Sequence, residues 1–177
     1  QAPIGYLADH IGARKVLLIG LTVGGLALIM LGMHLSYASL IVCAALLGLA
    51  NSVYHPCDYA ILSTHMDEAR MGRAFSIHTF AGFLGGAVAP AIMAALVAWV
   101  GGLGALIVAG AVGPVVALAL LVVGIPDASS ADRKEDGAAA PKQSIITPAI
   151  IMLTFFFMLL GLSSAGISNF GVVALMS

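Results

Sequence analysis

Four polar side chains stand close together in an otherwise apolar stretch of the sequence, at Asn51, Tyr54, His55 and Asp58. On an α-helix, Asn51, His55 and Asp58 are spaced i, i+4 and i+7 and therefore share one face. Histidine changes its charge near neutral pH, so a carboxylate beside it can help to couple proton movement to another event. The face therefore predicts a site that binds protons or lines a polar pathway. A helix end whose polar groups are simply solvated accounts for the same pattern.

The partner of Asp58 is predicted among nearby basic groups, namely Arg14, Lys15 or a protonated His55. His78 and Asn169 are weaker candidates for the same pathway. A solvated position at the membrane interface is the favoured interpretation of His78, and contacts between helices explain Asn169 equally well. Several glycines and prolines lie inside the apolar stretches, where small residues let helices approach closely and proline bends a helix. The residues predicted to act in packing or bending are Pro56, Gly82, Gly85, Gly86 and Pro90.

The amino-acid composition indicates whether the chain folds in water or in a lipid bilayer. Of 177 residues, 61% are hydrophobic and 8% are charged, and the mean hydropathy is +1.10. Soluble domains carry about 25% charged residues, and a fold of this length cannot hide so much apolar surface from water. The chain is therefore predicted to be an integral membrane protein.

Hydropathy divides the chain into runs that reach the roughly 20 apolar residues needed to cross a bilayer. These runs are predicted to be helices, because an open sheet in lipid leaves backbone groups unpaired. The predicted fold class is an all-α, multi-pass transmembrane helix bundle. The predicted spans lie at about 16–33, 38–62, 74–100 and 103–125, with a further span inside 148–177 and the end of an earlier one at 1–8.

The basic residues occupy every second connection between the predicted spans. All seven lie in the segments 9–15, 63–73 and 127–147, and the turns at 34–38 and 100–104 contain none. Because cytoplasmic loops carry the excess of lysine and arginine, the three basic segments are predicted to be cytoplasmic. The expected location is the plasma membrane, as in a bacterial inner membrane.

The segment GYLADHIGARK, residues 5–15, resembles the loop signature of the major facilitator superfamily. The resemblance implies a fragment of a fold with twelve helices in two bundles. Residues 1–126 then belong to the N-terminal six-helix bundle, from the end of its second helix onward. Residues 127–147 become the central cytoplasmic linker, and 148–177 the first helix of the C-terminal bundle.

The residues that match this signature are Gly5, Asp9, Gly12, Arg14 and Lys15. Glycine permits a tight turn between helices, and a carboxylate before a helix can accept hydrogen bonds from its positive end. The resemblance implies that the loop latches the two halves of the protein in the outward-facing state. A topological anchor without a gating role is the alternative.

A narrower resemblance connects GLANSVYHPCDYAILS and RMGRAFSIHTFAGFLGGAVAP to helices four and five of the fosmidomycin-resistance branch. Two features of drug exporters are degraded. The segment CAALLG lacks the arginine of the fourth helix. In the antiporter signature of the fifth helix, Ala89 replaces one glycine and Met93 and Ala94 replace two more.

These features predict a secondary transporter that moves a small organic solute by alternating access, coupled to an ion such as the proton, with drug efflux as one variant. The expected partners are that solute, protons, the lipid bilayer and the missing remainder of the chain. Catalysis, cofactors, bound metal and nucleic acid are not expected. The alternatives are a membrane enzyme or metal site built on His55, Asp58, His65 and His78, and a receptor or scaffold that does not transport.

Overall fold

The computed structural model describes residues 2–124 together with residues 151, 152 and 156. It divides the chain into two compact units, 1–136 and 137–177. The described residues of the first unit form helices and no strand, which confirms the predicted all-α class. In the second unit, Ile151, Met152 and Phe156 are helical with exposed side chains. Asn169, the predicted linker 127–147 and most of the predicted span in 148–177 lie outside the described residues.

Four helices make up the described part of the first unit. They are α1 (Ala2–Ile11), α2 (Ala13–Met33), α3 (Tyr37–His65) and α4 (Glu68–Val123). Gly101 interrupts α4 with a non-helical backbone, φ 77° and ψ 168°. It separates a first segment, 68–100, from a second segment, 102–123. This break lies in the glycine-rich sequence 100–104, where the sequence predicts a turn.

Three of these helices are long and apolar enough to cross a membrane: Ala13–Met33, Tyr37–Thr64 and Ala69–Val123. The break at Gly101 divides the last of them into two stretches. Each stretch exceeds the roughly 20 residues that one crossing needs. The described residues therefore supply four membrane-length segments, as expected of a multi-pass membrane protein.

The ends of the helices follow from local sequence. Gly12 separates α1 from α2 with φ 102°, a conformation that glycine adopts readily and other residues rarely do. Ser36 begins α3 with a capping box: its hydroxyl accepts a hydrogen bond from the Ser39 N–H at 3.1 Å, and the Ser39 hydroxyl accepts one from the Ser36 N–H at 2.8 Å. Two N–H groups that α3 leaves unbonded at its start are thereby satisfied.

Pro56 and Pro90 lie inside α3 and α4 without ending either helix. The bends predicted at these residues stay predictions.

Helix α2 lies at the centre of the described bundle and packs antiparallel to two neighbours. On one side, Gly20 approaches Val53 and Gly24 approaches Ala50 of α3. On the other side, α2 meets the second segment of α4 so closely that backbone touches backbone. A Cβ added to Gly25 would overlap the Gly110 carbonyl oxygen. Small residues thus allow the close helix contacts that stabilise bundles in lipid.

The glycines predicted to mediate packing on the first segment of α4 behave differently. A Cβ added to Gly82, Gly85 or Gly86 would meet no atom within 4 Å in the part of the chain described. Their predicted packing role stays a prediction, because any partner lies outside these residues.

One buried cluster fixes which helix ends lie together. It joins the start of α2 to the last third of α3, and Leu120 of α4 packs against it. The start of α4 follows directly after α3. The basic residues at the start of α2 and those at the start of α4 therefore lie at the same end of the bundle. The buried members of this cluster are Ala8, Ala13, Val16, Leu17, Val53 and Cys57.

Candidate functional site

The polar residues of α3 divide between two neighbouring helices. Tyr54 is half-buried and faces α2, where its hydroxyl lies 3.3 Å from the position of a Cβ on Gly24. Asp58 is half-buried and faces the first segment of α4, while Asn51 and His55 are exposed. Tyr54 thus contacts a different helix from Asp58, and the face predicted for Asn51, His55 and Asp58 stays a prediction.

Asp58 forms an ion pair with His78, with 3.6 Å between Asp58 Oδ2 and His78 Nε2. The pair joins α3 to the first segment of α4. Its side chains keep 23% and 34% of their surface exposed, so the pair is partly shielded and still reachable by solvent. The sequence predicts Arg14, Lys15 or His55 as the partner of Asp58. Of these, His55 lies near the carboxylate, whereas the ion pair itself is formed with His78, which was a candidate only for the pathway.

The reason for this difference is the antiparallel packing of α3 against α4. The chain turns at residues 66 and 67 and returns along α3, which brings the third turn of α4 level with Asp58. His55 lies close enough to act electrostatically on the same carboxylate. One carboxylate is therefore paired with a histidine of α4 and lies near a second histidine of its own helix.

Tyr59 organises the aromatic surroundings of this pair and was not among the predicted site residues. Its ring makes edge contacts with Phe75 at 5.1 Å and with His78 at 6.0 Å between ring centroids. It also lies 5.7 Å from the His55 ring. Such aromatic contacts contribute about 0.5–1.5 kcal/mol each beyond simple burial. The spacing of Tyr59 four residues after His55 was the available clue.

A cavity of about 350 Å³ opens beside these residues. Its volume is in the range of small-molecule sites, and its polar groups can donate and accept hydrogen bonds. In the part of the chain described, no three His, Cys, Asp or Glu side chains are arranged to hold a metal ion. The histidine, tyrosine and threonine side chains of the cavity are groups that can exchange protons or donate hydrogen bonds to a small solute. The lining residues are His55, Tyr59, His78, Thr79, Gly82 and Phe83.

The loop motif lies at the same end of the bundle. The Arg14 guanidinium donates from Nη2 to the Leu121 carbonyl oxygen at 3.3 Å, in the last turn of α4. A positive charge is favourable at the carboxyl end of a helix. Arg14 thus ties the start of α2 to the end of α4, a contact that the sequence did not indicate. Asp9 and Lys15 are exposed, and Gly5 lies inside α1.

His10 is the residue at which the motif departs from its usual pattern. Its Nδ1 lies 2.8 Å from the Tyr6 carbonyl oxygen, and its ring stacks on the Tyr6 ring at 4.1 Å between centroids. Both contacts are local to α1.

Comparison with known proteins adds two findings. The family model described as Major Facilitator Superfamily matches residues 1–177. A probable sulfoacetate transporter, SauU of Cupriavidus necator, is 35% identical over 109 residues, which cover 61% of this chain and 25% of that protein. The chain therefore matches about a quarter of the length of this curated relative. No solved structure shows a significant match. The narrower resemblance to the fosmidomycin-resistance branch stays a prediction.

Proposed function

The chain belongs to the Major Facilitator Superfamily, and from that membership we propose that the full-length protein is a proton-coupled secondary transporter for a small organic anion. Its family and its apolar helices make it part of a multi-pass membrane transporter. The proposal adds the substrate class, the coupling ion and the location in a plasma membrane. It concerns the whole protein, since the chain matches a quarter of its curated relative.

The Asp58–His78 ion pair is the observation that supports coupling to protons. It joins two membrane-length helices at one end of the bundle, beside a cavity. While Asp58 is ionised and His78 is protonated, their attraction holds α3 and α4 together. Protonation of Asp58 removes that attraction and favours states in which the helices separate. Proton binding and helix movement are thereby linked.

Other titratable groups surround the pair and belong to the same proposal. On α3, His55 and Tyr54 lie close enough to Asp58 to interact with it electrostatically, and Tyr59 contacts the His78 ring. From α4, His78 is the direct partner and Arg73 lies on the same helix, five residues earlier. A pH dependence of transport is therefore assigned to this group as a unit, with the Asp58–His78 contact as its link between helices.

The name of the curated relative and the charge pattern of the chain support an organic anion as the substrate class. Sulfoacetate, the solute in the relative's name, carries a carboxylate and a sulfonate. The degraded antiporter signature and the missing arginine in CAALLG argue against drug efflux. Arginine and histidine side chains suit anions because they donate charge-assisted hydrogen bonds.

Uptake into proteoliposomes that contain the full-length protein tests this function. Radiolabelled sulfoacetate, succinate, a neutral sugar and ethidium are supplied with and without an acidic exterior. We expect the anions alone to accumulate, about tenfold faster with the proton gradient, and the gain to disappear with a protonophore. Vesicles without protein supply the background.

Two results would contradict the proposal. Transport of ethidium without transport of either anion would indicate drug efflux instead of anion transport. Anion uptake at a rate independent of the proton gradient would support the proposed substrate class and contradict proton coupling.

A further inference from the structure

We propose that Arg70, Arg73 and His78 form an oxyanion-binding vestibule at the end of the bundle that carries the basic loops. The ligand class is a carboxylate, sulfonate or phosphate group joined to a small apolar portion. The inference deepens the proposed function by locating where an anion first binds, and it rests on that function only in naming the transported solute as one occupant.

A second cavity, of about 670 Å³, carries this proposal. Arg70, Arg73 and Ile77 follow one another at intervals of three and four residues, so they line one face of α4. The end of α3 supplies the opposite wall. The cavity thus combines cationic groups with an apolar surface of the kind that holds an organic anion. Its lining residues are Leu62, Met66, Arg70, Arg73, Ala74, Ile77 and His78.

Neither guanidinium in this cavity is engaged within the described residues. Arg70 and Arg73 are exposed and have no side-chain hydrogen bond or ion pair there. Arg14, at the same end of the bundle, instead donates to a carbonyl oxygen. Each guanidinium group presents several N–H donors in one plane. Two such groups three residues apart can hold an oxyanion by bidentate hydrogen bonds.

Asp67 precedes α4, and its backbone carbonyl accepts hydrogen bonds from the N–H groups of Arg70 and Met71. Its side chain makes no capping bond.

His78 connects the vestibule to the proton site, because it lines both cavities and contacts Asp58. An anion held by Arg70 and Arg73 competes with the Asp58 carboxylate for the protonated imidazole. Protonation of Asp58 releases His78 to the anion. Anion and proton therefore favour each other's binding at this junction, as reciprocal linkage requires.

The oxyanion can come from two sources, a dissolved organic anion or the headgroup of an anionic phospholipid. Protection of an introduced cysteine distinguishes them. Ala74→Cys places a thiol in the vestibule, and Gly72→Cys places one on the same turn, outside the cavity lining. Each variant of the full-length protein is put into nanodiscs of phosphatidylcholine, with or without phosphatidylglycerol, and labelled with a maleimide.

In phosphatidylcholine, sodium sulfate should slow labelling of Ala74→Cys about threefold relative to sodium chloride of equal ionic strength. Labelling of Gly72→Cys should not change. Adding Arg70→Gln and Arg73→Gln should abolish the protection. Arg70→Lys with Arg73→Lys should keep part of it, because lysine retains the positive charge but lacks the planar guanidinium group.

The outcomes separate the sources and test the site. Protection by sulfate identifies a dissolved anion as the occupant, and protection by phosphatidylglycerol without sulfate identifies a headgroup. The proposal is overturned if neither sulfate nor phosphatidylglycerol protects Ala74→Cys, or if protection persists after Arg70→Gln and Arg73→Gln are added. Because labelling does not depend on transport, protection with no anion uptake would retain the vestibule and reject the proposed function.

Discussion

Asp58 and His78 form the ion pair that joins α3 to α4, and the proposed proton coupling depends on these two side chains. Asp58→Asn keeps the shape of the side chain and removes its charge, so the ion pair at 3.6 Å is lost. We expect proton-driven uptake by the full-length protein to fall about tenfold and its dependence on external pH to flatten. His78→Gln should act in the same direction. Initial uptake rates from pH 5 to pH 8 measure both effects.

Ser63→Ala supplies the matched control for these two variants. The Ser63 hydroxyl is exposed on the same helix as Asp58 and donates only to the Ala60 carbonyl oxygen of its own turn. Uptake should therefore stay close to that of the unmodified protein. A normal pH profile in Asp58→Asn would show that the pair has no part in coupling.

Part of the composition of this site was predictable from sequence, and the pairing of its residues was not. Helical spacing correctly brings His55 and Asp58 to adjacent turns of α3. The partner of Asp58 depends on which helix lies beside α3 and on the rotation of that helix. No local pattern states either quantity, so His78 and Tyr59 gained their importance only in three dimensions.

Helix α2 and the second segment of α4 are held by backbone contact at Gly25 and Gly110. A methyl group on Gly25 would overlap the Gly110 carbonyl oxygen and the Pro114 ring. Gly25→Ala should therefore destabilise the bundle by about 1–3 kcal/mol, as overpacking does. The thermal unfolding midpoint of the full-length protein in detergent measures the effect.

Gly48→Ala is the control, because a Cβ at Gly48 meets nothing within 4 Å in the described part of the chain. Alanine also favours helix by roughly 0.5–1 kcal/mol over glycine. Equal midpoints for Gly25→Ala and Gly48→Ala would contradict the close contact.

The turn within α4 depends on the backbone of Gly101. Its φ of 77° and ψ of 168° lie in a region that is essentially restricted to glycine. Gly101→Ala should thus lower the free energy of unfolding by about 1–3 kcal/mol. Gly102→Ala, at the next residue, has helical backbone and open space and should be neutral or stabilising. Unfolding by sodium dodecyl sulfate titration compares the two, and a neutral Gly101→Ala would argue against this turn.

Sequence indicates where helices end better than which of their faces meet. The break at Gly101 lies within the predicted turn at 100–104, whereas Arg70 and Arg73, which the sequence places in a connection, lie inside α4, which begins at Glu68. The spacing of Gly82 and Gly86 suggests packing just as strongly as that of Gly20 and Gly24. Within the described residues only the second pair has neighbours, because glycine spacing does not reveal the adjacent helix.

For the whole molecule, the distribution of charge predicts an orientation in the bilayer. Arg14, at the start of α2, and Arg70, at the start of α4, lie at one end of the bundle. We expect this end to face the cytoplasm, since basic loops remain on that side. Single cysteines at positions 36, 71, 102 and 138 of the full-length protein test the orientation with a membrane-impermeant maleimide.

Positions 71 and 138 should react only from the cytoplasmic side, and positions 36 and 102 only from the other. Reaction of 36 and 71 from the same side would contradict the alternating topology.

The close contact between Gly25 and Gly110 also has a consequence for biosynthesis. Gly110 follows Gly25 by 85 residues. At about 5–20 residues per second, a ribosome needs roughly 4–17 seconds to extend the chain from Gly25 to Gly110. During that interval we expect the glycine face of α2 to contact lipid or the membrane insertion machinery instead of α4. Ribosome stalling between these two residues should therefore leave α2 open to crosslinking by the membrane insertion machinery.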